Sequence, residues 1–169
     1  MTNRQIESWV IPPEADAEFV AHREEVLETY EQPYDPACPV LCLDEQPVQL
    51  LKETRAPLPA TKEHGQRVDY ESERAGTANI FLFTEPLAGW REVSVRQTKT
   101  KVDWAIEMAR VLEDRYAHCQ KVILVSDNLN THTKGAFDEV FDPERARQLV
   151  RRMEFRHTPK HGSWLTAVE

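Results

Sequence analysis

The sequence predicts an α/β domain built on a mixed sheet, and three observations carry that reading. Segments of helical periodicity alternate with short strand-like runs. Two of those runs, Val40-Leu41-Cys42-Leu43 and Lys121-Val-Ile-Leu-Val125, are apolar and follow turn residues, the pattern of buried strands. The chain has 169 residues, 40% hydrophobic and 30% charged, enough for one domain with a sizeable core.

Residues 1–13 end in Trp9-Val-Ile-Pro-Pro13, an extended connector, because proline fixes its own φ and restrains the residue before it. Glu14 to Glu31 places Phe19, Val20, Val26, Leu27 and Tyr30 at helical spacing with acids between them, so it reads as an amphipathic surface helix. Pro33 to Pro39 ends it, and the strand 40–43 follows. Leu50 to Gln66, polar and carrying Pro57 and Pro59, reads as loop. Thr77 to Thr84 is a strand by its β-branched and aromatic content. Pro86 to Gly89 is a turn, and Trp90 to Gln97 completes an antiparallel hairpin.

Thr100-Lys-Val-Asp103 has the form of a capping box with Asp in place of Glu. It opens a helix to about Tyr116, with Val102, Ile106, Ala109 and Leu112 on one side. Lys121 to Val125 is a buried strand, and Gly135 to Phe141 a helical turn. Asp142-Pro143 reads as the N-cap and first residue of a helix to about Met153. Glu154 to His157 is the last strand. The sum is a five-stranded sheet flanked by helices. The expected organisation is a linker with its amphipathic helix over 1–36 and the α/β domain over 37–169.

Composition excludes several classes. No apolar run reaches the roughly 20 residues of a membrane span. Residues 1–13 lack the apolar core of a signal peptide, so the expected compartment is the cytoplasm. Cys38, Cys42 and Cys119 are too scattered for a disulfide framework or a zinc site, and read as buried thiols. The net charge of −8 argues weakly against nucleic acid, but it is unevenly spread. Residues 1–45 carry a balance of −9, residues 46–142 a balance of −2, and residues 143–169 a balance of +3.

Two apolar strands each end in an aspartate, Asp44 and Asp127. In open α/β sheets ligands gather beyond the carboxyl ends of strands. If the two strands pair in parallel, the carboxylates sit side by side and repel, a cost that a hard divalent cation removes. The plain alternative is that each is an N-cap or turn residue after a strand.

Longer sequence words add to this pair. They are Cys42-Leu-Asp44-Glu-Gln-Pro-Val, Val125-Ser-Asp127-Asn-Leu-Asn-Thr-His132, and His157-Thr-Pro-Lys-His-Gly-Ser-Trp164-Leu-Thr-Ala-Val-Glu169. Arg67-Val-Asp-Tyr70, Glu73-Arg-Ala-Gly-Thr77-Ala-Asn and Glu85-Pro-Leu-Ala-Gly-Trp90-Arg91 lie between them. The set, with the Trp9-Val-Ile-Pro-Pro13 connector, closely resembles the catalytic domain of bacterial insertion-sequence transposases of the mariner-related DDE type.

That resemblance implies a ribonuclease-H-like fold and a triad of Asp44, Asp127 and Glu169, the three lying 83 and 42 residues apart. It implies that these carboxylates hold two Mg²⁺ or Mn²⁺ ions about 4 Å apart for in-line displacement at phosphorus. The implied activity is DNA strand cleavage and strand transfer at element ends. The implied partners are element-end and target DNA and, for assembly, a homodimer or a full-length transposase. The implied setting is the bacterial nucleoid.

Asn128 and His132 match the family's Asp-Asn-x-x-x-His word, where they orient Asp127, touch phosphate or close the loop by a hydrogen bond. Lys160 and His161 are DNA-phosphate contacts or members of a solvated loop. Glu45, next to Asp44 on a strand, points to the opposite face and reads as structural or substrate-contacting. Arg145, Arg147, Arg151 and Arg152 make a basic helix that tracks DNA or is a solvated face. Trp164 reads as a packing anchor.

In the family a helix follows the triad glutamate, whereas this sequence ends on it, so the expected domain is incomplete at its C-terminal helix. The alternative function is therefore a truncated, inactive fragment serving as an interaction or DNA-binding module.

Overall fold

The computed structural model describes residues 17–127, 129–160 and 162–168. The connector at 1–13, Asn128, His161 and Glu169 lie outside the described residues. Five strands form one sheet in the order β3-β2-β1-β4-β5, with β1 Val40–Glu53, β2 Ser72–Glu85, β3 Trp90–Arg96, β4 Val122–Ser126 and β5 Met153–His157. β2 runs antiparallel to both β1 and β3, while β4 pairs in parallel with β1 and β5. The sheet is therefore mixed, with the chain reversals confined to one half.

Both faces of the sheet are covered, which explains the unbroken apolar runs. Leu41 and Leu43 of β1, Phe81 and Phe83 of β2, and Val122 and Leu124 of β4 pack under the helices α2 (Lys101–Asp114) and α3 (Pro143–Arg151). The alternate residues Val40, Cys42, Ile123 and Val125 form a second cluster with Val26 of α1 (Ala17–Glu31) and with Leu165 near the C-terminus. All five residues of β4 are buried. Each fully buried large side chain contributes about 1.5–3 kcal/mol, so both faces are needed for a core of this size.

Local chemistry places the helices. The Thr100 side chain accepts from the Asp103 backbone N–H, and the Asp103 carboxylate accepts from the Thr100 N–H, so the capping box forms with Asp as the return acceptor. Asp142 accepts from the backbone of Glu144 and Arg145, with Pro143 following as the first helical residue. The buried face of α2 is rotated from the expected stripe. Ala109 and Leu112 of that stripe are buried, but Val102 is exposed, and Trp104, Ala105, Met108 and Val111 complete the buried face. Among the described residues, Trp104 is the largest fully buried side chain.

The first two strands are longer than the sequence suggests. The strand expected over 40–43 continues to Glu53, and β2 begins at Ser72, five residues before its expected start. Residues 46–53 and 72–77 are exposed, so the two strands leave the core as a two-stranded arm. Hydrophobic pattern does not reveal a ladder that buries neither face, and Pro47 argues against a strand interior. The proline is tolerated because β4 pairs with β1 only through Cys42, leaving that edge free at residue 47. Gly76, with φ 102°, turns in this arm, and Gly89, with φ 66°, closes the β2–β3 turn.

The Glu85-Pro-Leu-Ala-Gly-Trp90 word has a structural role. The Glu85 carboxylate is buried at the end of β2. It accepts from the Arg115 guanidinium at 2.9 Å, the Tyr116 hydroxyl at 2.9 Å and the Tyr34 hydroxyl at 3.2 Å. Arg115 in turn lies 4.1 Å over the Trp90 ring. Of the three cysteines, Cys42 and Cys119 are buried and Cys38 is half-buried, and all three are free thiols.

A second buried acid, Glu107 on α2, accepts from Arg96 at 2.6 Å and from Arg110 at 3.1 Å. Burial alone would raise its pKa. The hydrogen bonds from Arg96, Ser94 and Arg110 outweigh burial and hold the carboxyl below its ordinary value. A depressed folded-state pKa contributes stability above the unfolded value, and that contribution is lost as pH falls through the folded value. Glu107→Gln should therefore lower stability by about 2 kcal/mol at pH 7, with the gap to wild type closing below about pH 4. Thermal melts from pH 7 to pH 3 measure this, and a gap independent of pH would contradict it.

Candidate active site

The site is built where β1 and β4 run side by side. Val40 pairs with Ile123, Leu41 with Leu124 and Cys42 with Val125, in parallel. Continued two residues beyond its last pair, the same register would set Asp44 level with Asp127. Side chains alternate along a strand, so Asp44 follows Val40 and Cys42 onto the face covered by α1, while Asp127 directly follows the last residue of β4. Both aspartates are partly exposed.

Beside Asp44 lies a hollow of about 300 Å³ lined by Asp44, Glu45, Gln46, Ile80, Leu82 and Val168. Val168 immediately precedes Glu169 in sequence. The C-terminal segment reaches this position through a tight turn at Pro159–Gly162 and a single 3₁₀ turn at Ser163–Leu165. A Cβ on Gly162 would stand 2.7 Å from the Pro159 ring, so only glycine permits that close approach. Thr158, Leu165 and Thr166 are buried, while Lys160 is exposed.

One side chain from α1 fastens the segment. The Tyr30 hydroxyl donates to the Leu165 carbonyl at 3.0 Å and accepts from the Ala167 N–H at 3.2 Å. It also lies 3.2 Å from the Cys42 sulfur, two residues before Asp44. Burial pushes the phenol well above its ordinary pKa and raises the Cys42 thiol as well, so both stay protonated at neutral pH. Nothing in the helical periodicity of α1 distinguishes Tyr30 from an ordinary packing residue.

His132 joins the two strand ends from the other side. Its ring is fully buried and stacks on Trp104, with centroids 5.5 Å apart and planes 26° apart. Its Nδ1 stands 3.0 Å from Asp127 Oδ1 and 3.2 Å from the Asp127 carbonyl, and its Nε2 stands 2.7 Å from Glu45 Oε1. Burial alone would lower the imidazole pKa. Hydrogen bonds to Asp127 and Glu45 and their charges outweigh it and raise the pKa to about 9. The ring is therefore a cation that donates through both nitrogens at neutral pH.

Other predicted residues fall into two groups. Arg145 is engaged by the Glu113 carboxylate at 2.8 and 2.7 Å, and Arg152 donates to the carbonyls of Leu112 and Tyr116. Two of the four arginines of the basic helix thus bind α2. Arg147 and Arg151 face solvent. Trp164 departs from the expected packing role and is 60% exposed, because Leu165 takes the inward position of that turn. Beyond the Asp127 loop, a second hollow of about 340 Å³ is lined by residues that include His132, Lys134 and His157.

The donors present suit a hard cation. Asp44 and Asp127 offer carboxylate oxygens, and no thiol other than buried Cys42 lies nearby in sequence. Among the described residues, no group of three or more His, Cys, Asp or Glu side chains is gathered to hold a metal. The third expected carboxylate, Glu169, lies outside them, as do Asn128 and His161.

A family model described as DDE superfamily endonuclease matches residues 39–169. The chain belongs to this family. Two solved structures give the fold of this DDE endonuclease domain an independent measure. The Mos1 strand transfer complex aligns with TM-score 0.53 at 11% identity, over 94% of this chain and 46% of that one. A pre-cleavage Mos1 transpososome aligns with TM-score 0.51 at 13% identity, over 95% and 48%. The mixed five-stranded sheet flanked by helices is the ribonuclease-H-like fold of the Mos1 catalytic region. The chain spans just under half the length of those transposase chains. No curated protein sequence matches significantly. No helix among the described residues is long and apolar enough to cross a membrane.

Tyr30→Phe removes the hydroxyl that holds residues 165–167. It should cost about 1 kcal/mol of stability and speed amide hydrogen exchange at Ala167 more than in β4. Exchange measured residue by residue tests this, and unchanged protection at Ala167 would show that the segment is held by other contacts.

Proposed function

We propose that this DDE endonuclease domain is the catalytic domain of a mariner-related bacterial insertion-sequence transposase. In this reading it cleaves DNA strands at element ends and transfers them to target DNA. The observation that supports the reading most is the parallel β1–β4 register, which leads the two strands toward Asp44 and Asp127 at the same sheet end. Val168, the residue before Glu169, lines the hollow beside Asp44. Asp44, Asp127 and Glu169 are the proposed catalytic and metal-binding residues, and the proposed domain boundary falls near residue 37.

In this reading the three carboxylates hold Mg²⁺ or Mn²⁺ ions. When bound, such ions acidify the attacking water or 3′-hydroxyl and stabilise the leaving 3′-oxygen during in-line displacement. The residues of this chain do the rest. Asp44 and Asp127 stand on rigid strand ends, and Tyr30 ties down the segment leading to Glu169. Asn128 and His132 support Asp127 in this reading, and Lys160 and His161 reach the phosphate backbone from the loop before Glu169.

DNA is the proposed partner despite the net charge of −8, since the excess acid lies in residues 1–45 and the last 27 residues are locally basic. A homodimer or pairing with a full-length transposase is the proposed assembly, in the nucleoid.

The test is nicking of supercoiled DNA with Mn²⁺ by this chain, by Asp44→Ala and by Asp127→Ala. Wild-type nicking should depend on Mn²⁺ and should fall at least about 100-fold in either variant, because each removes a proposed metal ligand. Equal background nicking by all three proteins would sink the reading for this chain.

A further inference from the structure

We propose that Glu45 is a positioning residue of this site, acting through His132 to fix the carboxylate of Asp127. The inference rests on the reading of Asp127 as a metal ligand and extends it to a residue on the opposite face of β1.

Glu45 follows Asp44, so its side chain leaves the face that bears Asp44 and continues the row of Leu41 and Leu43 toward α2. Its side chain is only 3% exposed. An unpaired carboxylate there would cost several kcal/mol, so its partner matters. That partner is His132 Nε2, at 2.7 Å. The imidazole cannot swing away, because it is fully buried and stacked on Trp104. With one ring nitrogen anchored by Glu45 and the plane set by Trp104, the other nitrogen has one direction to face. It faces Asp127, 3.0 Å from Oδ1 and 3.2 Å from the carbonyl.

Two consequences follow for the site. The ring's Nδ1 holds the Asp127 carbonyl by a hydrogen bond and stands in ion-pair contact with Oδ1, which restricts the rotamer of the carboxylate. Glu45 in turn anchors the ring in the plane that Trp104 sets, so the contact to Asp127 keeps one direction. Outer partners of this kind commonly change metal affinity by about 10- to 100-fold. The plain competitor is that Glu45 and His132 merely close the loop between Asp127 and His132.

The experiment separates these with two amides at position 132. The asparagine amide nitrogen falls near the position of Nδ1 and can still donate to Asp127. The glutamine amide nitrogen falls near Nε2 and can still donate to Glu45, but not to Asp127. Mn²⁺ binding to the whole chain is followed by electron paramagnetic resonance of free Mn²⁺, with circular dichroism melts as the fold control. His132→Gln, which loses the donor to Asp127, should weaken Mn²⁺ binding by about 10- to 100-fold, while His132→Asn, which keeps that donor but loses the Glu45 anchor, should weaken it about fivefold. Equal loss in both, or no loss in either, overturns the proposal, since a loop-closing role treats the two alike.

If a His132 variant does not fold, Glu45→Asp decides. It keeps the charge but draws the carboxylate back by one methylene, and should weaken Mn²⁺ binding about fivefold at nearly unchanged melting temperature. Wild-type affinity in Glu45→Asp overturns the proposal. Asp127→Asn keeps the two readings apart. If it abolishes Mn²⁺ binding while the position-132 variants behave alike, only the role of Glu45 fails. If wild type itself retains no Mn²⁺, the metal-site reading fails and this inference with it.

Discussion

The site depends on a short parallel ladder. Only Val40–Cys42 of β1 pairs with Ile123–Val125 of β4, yet that contact sets the register of everything beyond it. A slip of one residue would carry Ile123 and Val125 to the opposite face. Burial on both faces of the sheet guards against that slip. Leu41, Val122 and Leu124 pack under α2 and α3, and Val40, Cys42, Ile123 and Val125 pack under α1 and the C-terminal segment. Hydrophobic packing thus fixes the ladder that leads to the two carboxylates.

The elements around this ladder each restrain one part of the site. Trp104, the largest side chain fully buried among the described residues, packs in the core and also provides the surface on which His132 stacks. Tyr30 links α1, the Cys42 position of β1 and the backbone of residues 165–167 with one hydroxyl. At the far end of β2, Glu85 gathers Tyr34, Arg115 and Tyr116 and fixes the hairpin without touching the aspartates. The Glu85 cluster thus secures the sheet, and the Glu45–His132–Asp127 cluster lies at the site.

Much of this was legible in the sequence. The apolar runs that end in Asp44 and Asp127, the hairpin around Gly89 and the Thr100 and Asp142 caps all leave strong local signals, because each is set by residues close in sequence. The two-stranded arm was not legible. Its ladder lies outside the core, so no face is hydrophobic, and Pro47 and the prolines at 57 and 59 read as loop. The inward turn of Trp104 was missed because the sequence places Val102 and Ile106 at equally good helical spacing. The exposure of Trp164 was missed for a similar reason, since either it or Leu165 can fill the inward position of a single turn. The links from Glu45 to His132 and from Tyr30 to Leu165 span 87 and 135 residues, and no local pattern encodes them.

The central claim is that the parallel register makes Asp44 and Asp127 two halves of one cation site. Crystals soaked in Mn²⁺ and measured at the manganese absorption edge test it most directly. The account predicts an anomalous peak bridging the two carboxylates, with metal–oxygen distances of about 2.0–2.2 Å, typical of a hard octahedral cation. Manganese bound only elsewhere on the protein, or the two carboxylates found on opposite faces of the sheet, would contradict it.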